Sequence, residues 1–182
     1  MVFSPKISAF SDFSLVFGCS VIHPVLTHKH LGVVLSSNLK WSNHIDNVIS
    51  RANQQIGMLR RQDKFLTFEQ KCAIYLNMIR PAIEYAAIVY DNCDVNASMR
   101  LVQLQRKAAL ACTGAVFRTG TKQLMDFLHW DSLDSRRTSA KLNLFFTMVH
   151  RSAPCYLSNL VILDDCNRET RNRNLNGLKV KT

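Results

Sequence analysis

The spacing of apolar residues changes at Trp41, and this change constrains the fold more than any other feature of the chain. Before it, apolar residues fall in short runs at 13–17, 20–26 and 30–35, separated by Gly18, His23-Pro24 and Ser36-Ser37-Asn38. Short runs of Val, Ile, Leu and Phe bounded by turn residues read as β-strands. After Trp41, apolar residues recur at intervals of three and four, the period of a helix with one buried stripe. The expected fold is α+β and mostly α: a short N-terminal β-hairpin element followed by a bundle of about five helices.

The first helix is expected from 42 or 43 to about 61, with Ser42 or Asn43 as N-cap. Ile45, Val48, Ile49, Ala52, Ile56 and Leu59 form its inner stripe, and Arg51, Gln55 and Arg60 fall off it. Thr67, with Gln70 three residues later, has the pattern of a capping box opening a second helix. Its stripe is Phe68, Cys72, Tyr75, Leu76 and Ile79, and Pro81 breaks or kinks it because proline lacks an N–H. A short helical continuation passes through Ile83 and Ala87. Residues 91–94 read as a loop, after which Asn96 or Ser98 caps a helix over about 98–113. Leu101, Leu104, Ala108 and Ala111 face inward there, Arg100, Gln103, Arg106 and Lys107 face away, and Gly114 terminates it. A shorter helix near 121–129 and a longer one near 133–150 follow. The last is apolar almost all round (Leu142, Leu144, Phe145, Phe146, Met148, Val149), which implies deep burial or a partner surface. Pro154 stops it, and the Asn- and Arg-rich stretch after about 164 is expected to be disordered.

At 182 residues and 47% hydrophobic, the chain suffices for one compact domain with a core and is too short for three. Its formal charge is +10, from 23 Lys and Arg against 13 Asp and Glu. That excess favours polyanionic partners such as nucleic acid, although simple solubility accounts for a basic balance as well. No apolar run approaches the ~18–20 residues that span a bilayer, so no membrane partner is expected. The patch at 10–19 is interrupted by Asp12 and lacks the form of a signal peptide. Six scattered cysteines without a Cys-x-x-Cys pair suggest neither a disulfide framework nor a zinc knuckle. Cys72 and Cys112 lie among apolar neighbours and read as small hydrophobes. An intracellular, reducing compartment fits this usage.

The stretch Thr27-His28-Lys29-His30-Leu31-Gly32-Val33-Val34-Leu35, followed by Leu39-Lys40-Trp41-Ser42-Asn43-His44-Ile45, resembles the region just after the catalytic palm in reverse transcriptases of non-LTR (LINE-type) retrotransposons. Later blocks are similar at comparable spacing. They include Ala52-Asn53-Gln54-Gln55-Ile56-Gly57-Met58-Leu59-Arg60-Arg61, the block from Tyr75 through Arg80-Pro81 to Ala86, Leu104-Gln105-Arg106-Lys107-Ala108-Ala109, and Leu128-His129-Trp130-Asp131-Ser132-Leu133 with Arg136-Arg137. The resemblance covers about residues 20–157. It implies a palm remnant with a primer-grip-like hairpin at 1–40, a helical thumb and post-thumb bundle at 41–160, and a basic tail at 161–182. It makes His30, Leu31 and Gly32 the candidate primer-grip residues, because a glycine without Cβ lets the backbone approach a sugar-phosphate chain. Arg51, Arg60, Arg61, Lys64, Arg106 and Lys107 become candidate phosphate contacts on basic helix faces, against the plainer reading of a solvated surface.

Polymerase chemistry in that family uses carboxylates that hold two Mg²⁺ ions. The resemblance places them upstream of His30, where the sole acid here is Asp12. No catalytic residue and no cofactor is therefore expected of this chain by itself, and it is expected not to polymerise. Asp164-Asp165 lies on the wrong side of the thumb and reads as a loop. His28 and His30 alternate on one strand face, but a zinc site would need further ligands that spacing does not place, so no metal is expected. The implied partners are RNA or an RNA/DNA duplex and the palm domain of a longer polymerase, with no small-molecule substrate. A helical protein-interaction module, or a degenerate product without a selected role, are the alternatives.

Overall fold

The computed structural model describes residues 14–150, 152–163 and 178–180. Two antiparallel hairpins come first. β1 (Leu15–Phe17) pairs with β2 (Ser20–Ile22), and β3 (Thr27–His30) pairs with β4 (Val33–Ser36), His30 facing Val33. The expected run at 30–35 is therefore not one strand. It is cut at Leu31-Gly32, where φ is 45° and 83°. Two consecutive left-handed residues make a two-residue hairpin turn whose twist matches that of its strands. Val33 and Ser36 of β4 are buried, and β4 packs on the first helix.

That helix, α1, spans Ser42–Arg61. Its N-cap is Trp41 and makes no side-chain cap bond, so neither Ser42 nor Asn43 serves as expected. Asn43 Nδ2 instead donates to Ser36 Oγ at 3.2 Å, which ties the helix to β4 rather than capping it. The expected stripe holds: Ile45, Ala52, Ile56 and Leu59 are buried, with Val48 and Ile49 packed against them. After a 3₁₀ turn at Asp63–Phe65, α2 (Phe68–Ile74) opens on a complete capping box between Thr67 and Gln70, as its sequence signature implies.

Pro81 does not end this run. A π-helical turn, Tyr75–Ile79, precedes it, and α3 (Arg80–Glu84) carries the proline in its first turn. The wider turn makes room for a ring that would clash with the Asn77 carbonyl in a regular helix. Tyr75, Ile79 and Ile83 are buried, whereas Phe68, placed on the same stripe by its spacing, is 41% exposed. The expected continuation to Ala87 breaks at Tyr85-Ala86, where Ala86 is left-handed (φ 55°), before the single turn of α4 (Ala87–Tyr90).

α5 (Val95–Thr113) packs along α1 and buries Leu101, Leu104, Ala108 and Ala111. Its N-cap is Asp94, two residues earlier than Asn96 and four earlier than Ser98. The Asp94 carboxylate accepts the Ala97 N–H at 2.8 Å, and the Asp94 carbonyl accepts that of Ser98 at 3.0 Å. Gly114, left-handed at φ 65°, closes the helix. α6 (Thr121–Leu128) and α7 (Leu133–Val149) follow as expected, then a one-turn α8 (Cys155–Ser158) with Pro154 at its N-cap. The five expected helices are α1, the α2–α3 run, α5, α6 and α7. The single turns α4 and α8 are too short to show a period.

The chain forms two compact units, divided between Asp134 and Ser135. The hairpin β3–β4 thus belongs with the helices through α6, while most of α7 belongs with α8. In the second unit, none of the six apolar residues singled out in α7 is fully buried, and Leu142 and Phe146 are exposed. The tail is not wholly without order: Leu178–Val180 forms β6, paired antiparallel with β5 (Val161–Leu163). Leu178 and Val180 alternate with Lys179, a strand pattern too short to register in an otherwise polar stretch. Residues 164–177, where disorder was expected, lie outside the described residues. Among the described residues, no helix is long and apolar enough to cross a membrane.

The capping assignment is directly testable. Asp94→Ala should lower stability by about 1 kcal/mol in urea unfolding, the usual cost of an N-cap. Asn96→Ala and Ser98→Ala should change it by less than about 0.5 kcal/mol. Equal losses in all three would contradict the cap.

Candidate nucleic-acid interface

The hairpin tip carries the three residues singled out by resemblance. His30 ends β3, exposed, with its ring stacked on that of His28 at a centroid distance of 6.4 Å. Leu31 is 77% exposed and left-handed, a conformation that costs a leucine about 1 kcal/mol or more. Asn or Asp is the usual occupant of that turn position. Gly32 follows, and its missing Cβ has a definite use inside the chain. A Cβ there would lie 3.2 Å from Tyr85 Cε1, and the Tyr85 hydroxyl donates to the Leu31 carbonyl at 2.7 Å. The glycine therefore admits a tyrosine ring of the same molecule.

The base of the hairpin is held by His44, which enters the sequence pattern only as part of the block 39–45. The side chain is 3% exposed, and its Nδ1 accepts the Val34 N–H at 3.3 Å. The imidazole meets Tyr90 edge-on at 5.0 Å and Trp41 at 6.4 Å. Accepting at Nδ1 puts the proton of the neutral ring on Nε2. Burial lowers its pKa from the ordinary 6.5. Trp41 Nε1 donates to Asn92 Oδ1 at 2.7 Å, securing the same junction.

The six basic candidates do not form one face. At about 100° per residue, Arg51 and Arg60 lie on opposite flanks of α1, and about 14 Å apart along its axis. Arg106 is committed within the chain. Its guanidinium donates to the carbonyls of Phe117 and Thr119 and stacks over the Phe117 ring at 4.9 Å, clamping the loop after α5. Lys107 is exposed on α5. Arg60, Arg61 and Lys64 come together at one corner, where α1 gives way to the 3₁₀ turn, and all three are exposed. None of the three forms an ion pair among the described residues. Other cations do: Lys71 with Asp63, Arg80 with Glu84 at 3.9 Å, and Arg100 with Asp46 at 2.7 Å. Two arginines in the last turn of α1 also oppose the negative end of its dipole.

Buried polar groups elsewhere serve the core. Gln105, which the helical pattern did not single out, donates to the Asp131 carbonyl at 2.8 Å and accepts the Leu133 N–H at 3.2 Å, fastening the start of α7 to α5. Tyr75 stacks on Trp130 at 3.9 Å, and burial pushes its phenol up to about 12. Burial likewise pushes the Cys112 thiol up to about 12, and its Sγ lies 3.5 Å from the Lys71 carbonyl. A thiol so protonated packs as a small hydrophobe rather than acting as a nucleophile. Among the described residues, no three His, Cys, Asp or Glu side chains converge as metal ligands. Asp12 and Asp164-Asp165 lie outside the described residues.

Comparison with protein-family models, with curated proteins and with solved structures gives no match.

Two outcomes check this geometry. Gly32→Ala should destabilise by about 1–2 kcal/mol through its left-handed backbone, whereas Leu31→Asn should stabilise by up to about 1 kcal/mol. Opposite signs in thermal unfolding support the turn, and a neutral Gly32→Ala would refute it. For His44, the unfolded chain takes up the ring proton first as pH falls. The contribution of the neutral imidazole is complete above about pH 6.5 and declines as pH drops through the lowered folded value. The urea midpoint should therefore fall between pH 7 and 5.5, and the slope should vanish in His44→Asn, which keeps an acceptor without the titration. A slope that survives this variant sinks the assignment.

Proposed function

We propose that the chain is the primer-grip and thumb side of a non-LTR retrotransposon reverse transcriptase, and that its own residues hold RNA or an RNA/DNA duplex without catalysing polymerisation. The observation that carries this reading is the corner of Arg60, Arg61 and Lys64, three exposed cations without an acidic partner among the described residues. Three like charges within residues 60–64 repel one another, and a phosphate backbone relieves that repulsion while releasing its own counterions. Leu31 adds support. It is an exposed apolar side chain held at a conformational cost on a hairpin tip, the place the resemblance assigns to the primer grip. Strain of this kind concentrates where a chain meets its ligand.

A second reading, a protein-interaction module, is favoured by a different surface. Leu15, Val16, Phe17, Val21 and Ile22 of the β1–β2 hairpin are all exposed. In the first reading the same hairpin faces the palm of a longer polymerase. In the second it faces an unrelated protein.

Binding of a short RNA and of an RNA/DNA primer-template duplex separates these readings. With about three phosphate contacts, the log–log salt slope should be about −2 on single strands and nearer −3 on duplex. Arg60→Glu with Arg61→Glu should weaken binding at least tenfold at low salt and flatten the slope by about 2. Salt-independent binding, or none at low salt, would overturn the proposal.

A further inference from the structure

The cationic corner is flanked by aromatic rings that the core does not use. Phe65 ends the 3₁₀ turn next to Lys64 and is 85% exposed. Phe68 opens α2 at 41% exposed, and its ring meets that of Phe127 at the end of α6, edge to face at 6.0 Å. Phe127 is itself 67% exposed. The two residues lie far apart in sequence, so folding assembles this patch. A phenylalanine pair on a surface loses hydrophobic stabilisation by staying in water, and an edge-to-face pair leaves an outer ring face free. The acids nearby are partly committed. Asp63 is held by Lys71, and the Glu69 carboxylate is kept below the usual range by its own backbone N–H and by the Thr67 hydroxyl. Asp126 precedes Phe127. Among the described residues, Arg60, Arg61 and Lys64 form no ion pair.

We infer that this corner is a stacking platform for an unpaired nucleic-acid strand, with bases on Phe65 and the Phe68–Phe127 pair and phosphates on Arg60, Arg61 and Lys64. The inference rests on the nucleic-acid reading above and narrows it to the single-stranded form. Exposed rings beside a cluster of cations match the two faces of a single strand, whose bases are free to stack and whose phosphates can meet cations that no ion pair among the described residues engages. A closed duplex presents only phosphates and groove edges to such a surface, so the rings would contribute nothing there. An apolar protein partner would use the rings but leave three cations unsatisfied, which is why charge complementarity favours the strand.

The test compares three probes on the full chain at one salt concentration: a 12-nucleotide RNA, the same RNA with its four central bases removed but every phosphate kept, and a 12-base-pair RNA/DNA duplex. The intact strand should bind roughly tenfold more tightly than its abasic counterpart, in line with the contribution of base–aromatic stacking. Phe65→Leu and Phe127→Leu keep apolar bulk and remove the π face. Each should abolish most of that difference while leaving the salt slope, the duplex affinity and the urea midpoint unchanged. Equal affinity for the intact and abasic strands, with a normal salt slope, would overturn stacking and leave the phosphate-binding reading standing. No salt-dependent binding of any probe would overturn both. Leucine variants that bind the intact strand as the native chain does would overturn the assignment to these rings.

Discussion

The hydrogen bond from the Val34 N–H to His44 Nδ1 joins the strand-forming part of the chain to the helical part, and the placement of the hairpin depends on it. An isolated two-stranded hairpin is marginal in water, and β3 is exposed along its whole length. β4 gains its stability from packing on α1, and the buried imidazole fixes the register of that packing. At the other end of the hairpin, Tyr85 holds the Leu31 carbonyl. One clasp is at the base and one at the tip: His44 is buried at 3% exposed, whereas Tyr85 reaches the tip from a position 56% exposed. The left-handed Leu31-Gly32 turn follows from this arrangement, since the tyrosine ring occupies the space a Cβ would need.

Behind the hairpin, the seam between α1 and α5 decides which charges remain available. Each helix spends one stripe on the core, so its cations occupy the remaining circumference. The tertiary fold then sorts them. Arg100 reaches Asp46 across the seam, Lys71 reaches Asp63 across the turn, and Arg106 is drawn to carbonyls of the loop it clamps. Exposed pairs of this kind are worth little in stability, about 0–1 kcal/mol. Their effect here is to consume local charge. The corner at Arg60, Arg61 and Lys64 keeps its charge because Asp63, the acid between them in sequence, turns to Lys71 instead.

Much of the helical layout was legible because each long helix buries a continuous stripe, and burial writes a period into the sequence. The caps were less legible. Asp94 and Asn96 are both good capping residues, and the choice between them turns on where the loop after Asp91 frees the backbone. Asn43 looks like a cap by type, yet its amide is drawn to Ser36, an acceptor that only the folded hairpin brings near. The π-turn at Tyr75–Ile79 shows the same limit. Pro81 announces that a regular helix cannot pass unchanged, but whether the chain ends, bends or widens there is decided by how well Tyr75 and Ile79 can be buried together.

The candidate interface was legible only in part, for a related reason. Position off the apolar stripe correctly makes Arg51, Arg60 and Lys107 exposed, since exposure is a local consequence of helical phase. It cannot say which cations meet an acid, because the partners lie across the fold. It also cannot find Phe127, whose spacing on a short helix says nothing about Phe68 on another. That pairing exists because α5 packs against both α2 and α6 and so sets the two helix ends side by side. Charge alone selects a region of sequence. Charge together with unburied aromatic area selects one corner of the molecule, and that combination appears only once the core has taken the side chains it can use.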